Sequence, residues 1–208
     1  MNKYLLLTLS LIAVLMISCG GDDNPAGPSG QACNICPIEL NHGWASKMTL
    51  FTSTGNIFDE SDLTQVIVGD TVIQSVPWYV IEVRIDGVLD ETIYLANKTN
   101  GVYQRVQTYP GHYESFLVYK RQVSEGTSYP LATYGTVSVL SKDTSVTVPA
   151  GTFDCYLYHL DLLSVAGYES YDYLAPDVGF IKTERFVHPQ DGDPYRSSLI
   201  ELDSLIGQ

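Results

Sequence analysis

From Gly43 onward, apolar and polar residues alternate in short runs. Gly, Pro, Asn and Asp turn signals interrupt them every ten residues or so. A period of two places successive side chains on opposite faces of a strand, and the Val, Ile, Thr, Tyr and Phe of these runs suit a pleated surface. The clearest hairpin is WYVIEVRIDGVLDETIYLA. Tyr79, Ile81, Val83 and Ile85 alternate with Trp78, Glu82, Arg84 and Asp86, and Asp86-Gly87 tolerates the positive φ of a tight turn. Asn100-Gly101 repeats the device. Lys142-Asp143 and Pro149-Ala150-Gly151 bracket TSVTV, with proline fixing φ and Gly151 supplying the positive φ of a type II turn. APDVG and PQDGDPY mark two more reversals. The pattern predicts strands near 45–52, 64–68, 71–75, 78–85, 88–96, 102–108, 114–122, 134–141, 144–148, 152–163 and 179–187, with shorter ones near 169–174 and 196–203. No stretch sustains helical periodicity, and residues 57–66 alone suggest one helical turn. The prediction is an all-β fold, an antiparallel meander with little helix. So many strands hide their edges by curling into a barrel or a bent half-barrel.

The strand at 152–163 is apolar on both faces. Phe153, Cys155 and Leu157 point one way, and Tyr156, Tyr158, Leu160 and Leu162 the other. One face meets the core, so the other needs a second cover: a short helix, a partner protein or a ligand. Tyr156 and Tyr158 share a face, as do Tyr171 and Tyr173 on the neighbouring strand. If the strands pair in chain order, the four rings line one concave surface. Tyrosine suits a surface that is apolar but not dry. The competing expectation is ordinary cross-strand packing of aromatics outside the barrel.

The first residues read MNKYLLLTLSLIAVLMISCGG. Lys3 precedes an apolar stretch from Leu5 to Ile17, too short to span a bilayer and suited to a signal peptide. Ser18-Cys19 at its end resembles the lipobox of bacterial lipoproteins, with Met16 where that motif usually has Leu. The resemblance implies cleavage before Cys19 and acylation of Cys19, which would hold the protein on the membrane of the cell envelope, at the outer membrane. Residues 20–32 are rich in Gly, Pro, Asp and Ser and bury too little to fold. The chain therefore divides into a signal peptide (1–18), a lipidated cysteine with a flexible tether (19–43) and one β domain (44–208).

Cys33 and Cys36 form a CxxC followed by Pro37. Export makes a Cys33–Cys36 disulfide plausible. A thioredoxin-like site lacks its strand-to-helix context, and haem attachment lacks the histidine. A zinc site would have to recruit His42 and Cys155, and pairing of either cysteine with Cys155 also stays open. The expectation is no metal and no cofactor, with Cys155 a small buried apolar residue. The chain carries 24 acids against 11 bases, a net charge of −13, which speaks against nucleic acid or an anionic lipid surface as a partner held by overall charge. His42, His112, His159 and His188 are scattered. Asp59, Glu60 and Asp62, and Asp191 and Asp193, sit in acidic stretches that match no full calcium-loop pattern. No nucleophile, base or carboxylate pair has catalytic spacing, so no catalytic residue is assigned and the protein is read as no enzyme.

SVTVPAGTFDCY, followed by YDYLAPDVGFIKTE, resembles a group of uncharacterised exported bacterial β proteins with the pattern V-x-V-P-A-G-T-F, then Y-x-A-P-x-V-G-x-[IV]-K. The likeness covers roughly Gly101 to Leu205. It implies a bent antiparallel sheet similar to that of periplasmic lipoprotein carriers, which grip acyl chains, and it implies no activity. The expected function is a lipid-anchored, non-catalytic module that binds an apolar small molecule or lipid through Tyr156, Tyr158, Tyr171 and Tyr173. The alternative is a lipoprotein that docks another envelope protein through an aromatic sheet face, and an enzyme of unknown type stands third.

Overall fold

The computed structural model of the chain describes residues 40–207 apart from 99, 110–111, 122, 133 and 163–166. Twelve strands follow one another: β1 (Gly43–Phe51), β2 (Ile57–Ile73), β3 (Val76–Ile85), β4 (Val88–Lys98), β5 (Gly101–Tyr109), β6 (His112–Lys120), β7 (Ser128–Leu131), β8 (Gly135–Val148), β9 (Gly151–Leu162), β10 (Tyr168–Ala175), β11 (Gly179–Val187) and β12 (Tyr195–Ile206). Strands adjacent in the sheet run antiparallel. The meanders β1–β6 and β7–β12 join through pairing of β1 with β12. The result is a nearly closed up-and-down barrel, whose backbone ladder breaks between β6 and β7.

Side chains bridge that seam. The Tyr129 hydroxyl on β7 donates to the Val118 carbonyl at 2.8 Å and accepts from the Lys120 N–H at 2.9 Å, doing for two β6 groups what a paired strand would do. From β9, the Tyr158 hydroxyl donates to the Lys120 carbonyl at 3.1 Å. The tyrosine rings fill the gap with apolar area while their hydroxyls satisfy edge groups that would otherwise be buried without partners.

The barrel interior follows the period-two pattern. Leu63 and Ile67 of β2, Ile81 and Val83 of β3, Ile93 and Leu95 of β4, and Leu160 of β9 are all buried in one core. Asp86 and Gly87 both take positive φ, as the hairpin pattern predicts, and Ile85 pairs with Val88.

Four local expectations change. Residues 57–66 form no helical turn; they are the first part of the long strand β2. Ser61, Leu63, Gln65 and Ile67 are buried while Glu60 and Asp62 are exposed, so the strand period prevails there, and Asp59, Glu60 and Asp62 lie along a strand rather than a loop. Strands 64–68 and 71–75 merge in β2, which turns into β3 at Gln74-Ser75, both at positive φ. Lys142-Asp143 is no hairpin turn but lies within β8, where the register with β9 shifts between Ser141 and Thr144. In the Pro149-Ala150 turn, Gly151 has φ 140° but pairs with Val148, and Ala150 is not at positive φ. Gly151 is therefore the fourth residue of a type I-like turn rather than the third of a type II turn.

The register shifts in β8 explain the doubly apolar strand. They bend the β8–β9 hairpin so that its tip reaches β12, where the Ala150 N–H donates to the Leu202 carbonyl at 3.1 Å. Val146, Val148 and Cys155 join the core there, while Tyr158 and Leu160 face the barrel interior further along β9. The second cover is the protein's own sheet.

Candidate functional site

The register of β9 and β10 decides where the four predicted tyrosines point. Tyr158 lies opposite Asp172, and Tyr156 opposite Leu174. Residues directly opposite in an antiparallel ladder share a face, so Tyr156 and Tyr158 face inward with Asp172 and Leu174, and Tyr171 and Tyr173 face outward. The expected single surface of four rings is thus divided between two faces. Tyr158 is fully buried at the seam, and Tyr156 packs against the core. Tyr171 stacks on His159 with centroids 4.7 Å apart and meets Phe186 edge-on, while the Tyr173 hydroxyl donates to Glu184 at 3.3 Å.

The residues alternating with the outward tyrosines build an inner polar layer. Asp172, 0% exposed, accepts hydrogen bonds from the Tyr119 hydroxyl at 2.7 Å, Thr183 at 2.8 Å and Ser170 at 2.9 Å. Burial raises its pKa, opposed by these three donors and by the positive charge of Arg185. Arg185 is buried on β11, opposite Ser170 and Ser198. Glu91 on β4 is pushed up to about 7 by burial, with Asp90 adding to the rise and Arg185 opposing it.

Two glutamines complete the layer. Gln65 alternates with Leu63 and Ile67, and Gln104 sits opposite Leu95 and Phe116. Each is 1% exposed. The Gln104 amide has a hydrogen-bond partner for neither its nitrogen nor its oxygen, and Gln65 Oε1, Glu91 Oε2 and the hydroxyls of Ser46 and Ser198 also lack one. Buried amides are normally satisfied, so these unpartnered groups set the inner layer apart from the apolar core around it. The alternation of Ser170 and Asp172 with aromatic residues was the available sequence signal. Gln65 and Gln104 gave none beyond being polar at inward positions.

On the outer face, Glu169 bridges two histidines, with Oε2 2.8 Å from His159 Nε2 and Oε1 2.9 Å from His188 Nε2. Burial raises the Glu169 pKa, but His188 and His159 outweigh it and hold the carboxyl below its ordinary value. Among the described residues, no group of three or more His, Cys, Asp and Glu side chains is placed to hold a metal ion. Cys155 is a buried thiol pushed up to about 12 by burial. Cys19, Cys33 and Cys36 lie outside the described residues. No helix among the described residues is long and apolar enough to cross a membrane.

A family model described as DUF3108-like matches residues 138–190, which run from β8 into the loop after β11. No curated protein matches the chain in sequence. Two solved structures are similar in fold. One is a candidate lipoprotein from Parabacteroides distasonis, with TM-score 0.52 and 14% identity, covering 83% of this chain and 98% of that one. The other is a candidate exported protein with a YmcC-like fold from Bacteroides fragilis, with TM-score 0.50 and 11% identity, covering 81% of this chain and 97% of that one. At these identities the likeness shows the fold: an all-β antiparallel barrel.

Proposed function

We propose that the protein is an exported, lipid-anchored binding module of the bacterial envelope, whose barrel holds an amphipathic molecule without transforming it. The observation that carries this reading is the set of buried, unpartnered polar groups, led by the Gln104 amide, on an inner wall where apolar side chains adjoin the polar layer around Asp172. Eight strands make a barrel that side chains just fill, and diameter grows with strand number. Twelve strands make a wider barrel than eight, and a guest would enter by parting the side chains packed around Gln104. Apolar walls with a few placed polar groups are the usual lining of a small-molecule site. An acyl chain would meet Leu95 and Phe116, and a polar head would meet Gln104 and the layer of Glu91 and Arg185. The signal-like N-terminus with Cys19, and the descriptions of the two structural relatives, support the envelope location.

Titration of the purified protein with a fluorescent fatty acid tests the binding reading. Saturable binding is expected. Gln104→Leu should weaken it by roughly tenfold, the equivalent of about 1.4 kcal/mol for one lost polar contact, while Tyr171→Ser on the outer face should leave it unchanged. Mass spectrometry should recover the guest intact. Absence of binding, or equal loss in both variants, would refute the interior site. Anchoring is checked separately: Cys19→Ala should abolish palmitate labelling and release the protein from the membrane fraction.

A further inference from the structure

Outside the barrel, on the face opposite the proposed interior site, β3, β4 and β5 bring together Trp78, Lys98, Tyr103 and Arg105. Trp78 alternates with the inward Tyr79 and Ile81 and so faces outward, opposite Thr71 of β2. Lys98 Nζ lies 5.8 Å from the Trp78 ring centroid and 4.0 Å from that of Tyr103. The Arg105 guanidinium lies 5.9 Å from the Trp78 ring and 4.8 Å from that of Tyr113 on β6. Two cations thus share one indole.

Two features go beyond packing. First, neither Lys98 nor Arg105 forms an ion pair among the described residues, in a chain with 24 acids to 11 bases. The outer-face carboxylate on β3, Glu82, is taken by Arg84 at 2.6 Å. Cation–π contact occupies the faces of these groups but leaves their N–H donors unmatched. Second, Trp78 is only 2% exposed, yet its indole N–H has no acceptor. A phenylalanine would supply an aromatic face without a buried unpaired donor. By contrast, Trp44 donates to the Val178 carbonyl at 2.8 Å.

We infer that this outer face is a binding site for a phosphate group, received by the Trp78 N–H, the Lys98 ammonium and the Arg105 guanidinium. The guanidinium fork and the ammonium are the side chains suited to a multi-oxygen anion. The rings of Tyr103 and Tyr113 flank the site and suit an organic substituent on the phosphate. The phosphate is either that of a soluble ester or that of a lipid headgroup. The site is independent of the interior reading and would stand if that reading fell.

The chain has two tryptophans, so indole N–H resonances report on the site directly, with Trp78→Phe giving the assignment. The probes are glycerol 3-phosphate in solution and vesicles of phosphatidylglycerol. With the soluble ester, the Trp78 signal should move saturably while the Trp44 signal stays, and the response should vanish in the double variant Lys98→Gln/Arg105→Gln and weaken with added salt. Trp78→Phe, folded by circular dichroism, should lower affinity several-fold. A Trp78 response to vesicles alone, lost in the double variant, would support the site and identify the headgroup as the source. No Trp78 response to either probe, or a response unchanged in the double variant, would overturn the assignment.

Discussion

Asp172 and Ser46 are both polar, buried and inward-facing, yet their removal should have different consequences. Asp172 accepts from three hydroxyls. Asp172→Ala would remove the acceptor that Tyr119, Ser170 and Thr183 share, and a buried group that loses its partner costs about 1–3 kcal/mol. The expected loss is several kcal/mol in denaturant unfolding. The Ser46 hydroxyl has no partner to lose, so Ser46→Ala should change stability by less than about 0.5 kcal/mol. Equal effects would mean that the inner layer is not organised around Asp172. At this scale the sequence was legible in type but not in direction. Tyr171 and Tyr173 stood out as large rings, and the small Ser170 and Asp172 between them did not. Only the register with β9 assigns the smaller pair to the interior, and register depends on partners far away in the chain.

Among the strands, local turn signals succeeded only in part: a short turn can be set by its own residues, yet Lys142-Asp143 lies within β8 and makes no turn. Asp86-Gly87 turns where its backbone freedom predicts. Gln74-Ser75 makes the same two-residue, positive-φ turn with no such residues, so strand pairing on either side imposes it. The bend in the β8–β9 hairpin was equally hidden, since a register shift looks in sequence like any alternating run. The tip of that hairpin supplies a prediction. Gly151 has φ 140°, with open space around it except for the Phe153 ring at 3.6 Å. Strain rather than collision should therefore set the effect of Gly151→Val, about 1–3 kcal/mol and a clearly lower unfolding midpoint, while Asp191→Ala in an exposed turn should hardly move it. Gly135 differs in kind. A Cβ there would strike the backbone carbonyl of Asp161 on β9, so Gly135→Ala should be the more damaging change, measured by the same unfolding. At the seam, Tyr129→Phe removes the hydroxyl that serves Val118 and Lys120, and amide exchange at Lys120 should speed up before the rest of β6 is affected.

The whole barrel must carry an interior charge network, and this makes its stability depend on pH. Glu91 titrates at about 7 in the folded protein against an ordinary 4.5. Its folded form therefore holds a proton between those values that the unfolded chain has already released. The associated stability is fully present below about pH 4.5 and is lost as pH rises through about 7. At about 1.4 kcal/mol per pKa unit the whole swing is roughly 3 kcal/mol. Asp172, also raised by burial, adds in the same direction. Glu169, held low by His188 and His159 against its burial, acts oppositely: its contribution is present above the ordinary glutamate value and is lost in acid. Glu91→Gln separates these effects, because it keeps the shape and the neutral state while removing the titration. Thermal unfolding midpoints followed from about pH 5 to about pH 8, a span chosen to bracket the raised value, should fall for the native protein by several degrees. They should fall markedly less for Glu91→Gln, which should be the more stable of the two at the alkaline end. If both proteins decline in parallel, Glu91 is not a buried proton store. The polar layer would then be hydrated enough to hold its charge, and the reading of the interior as a largely apolar chamber for an amphipathic guest would lose one of its physical supports.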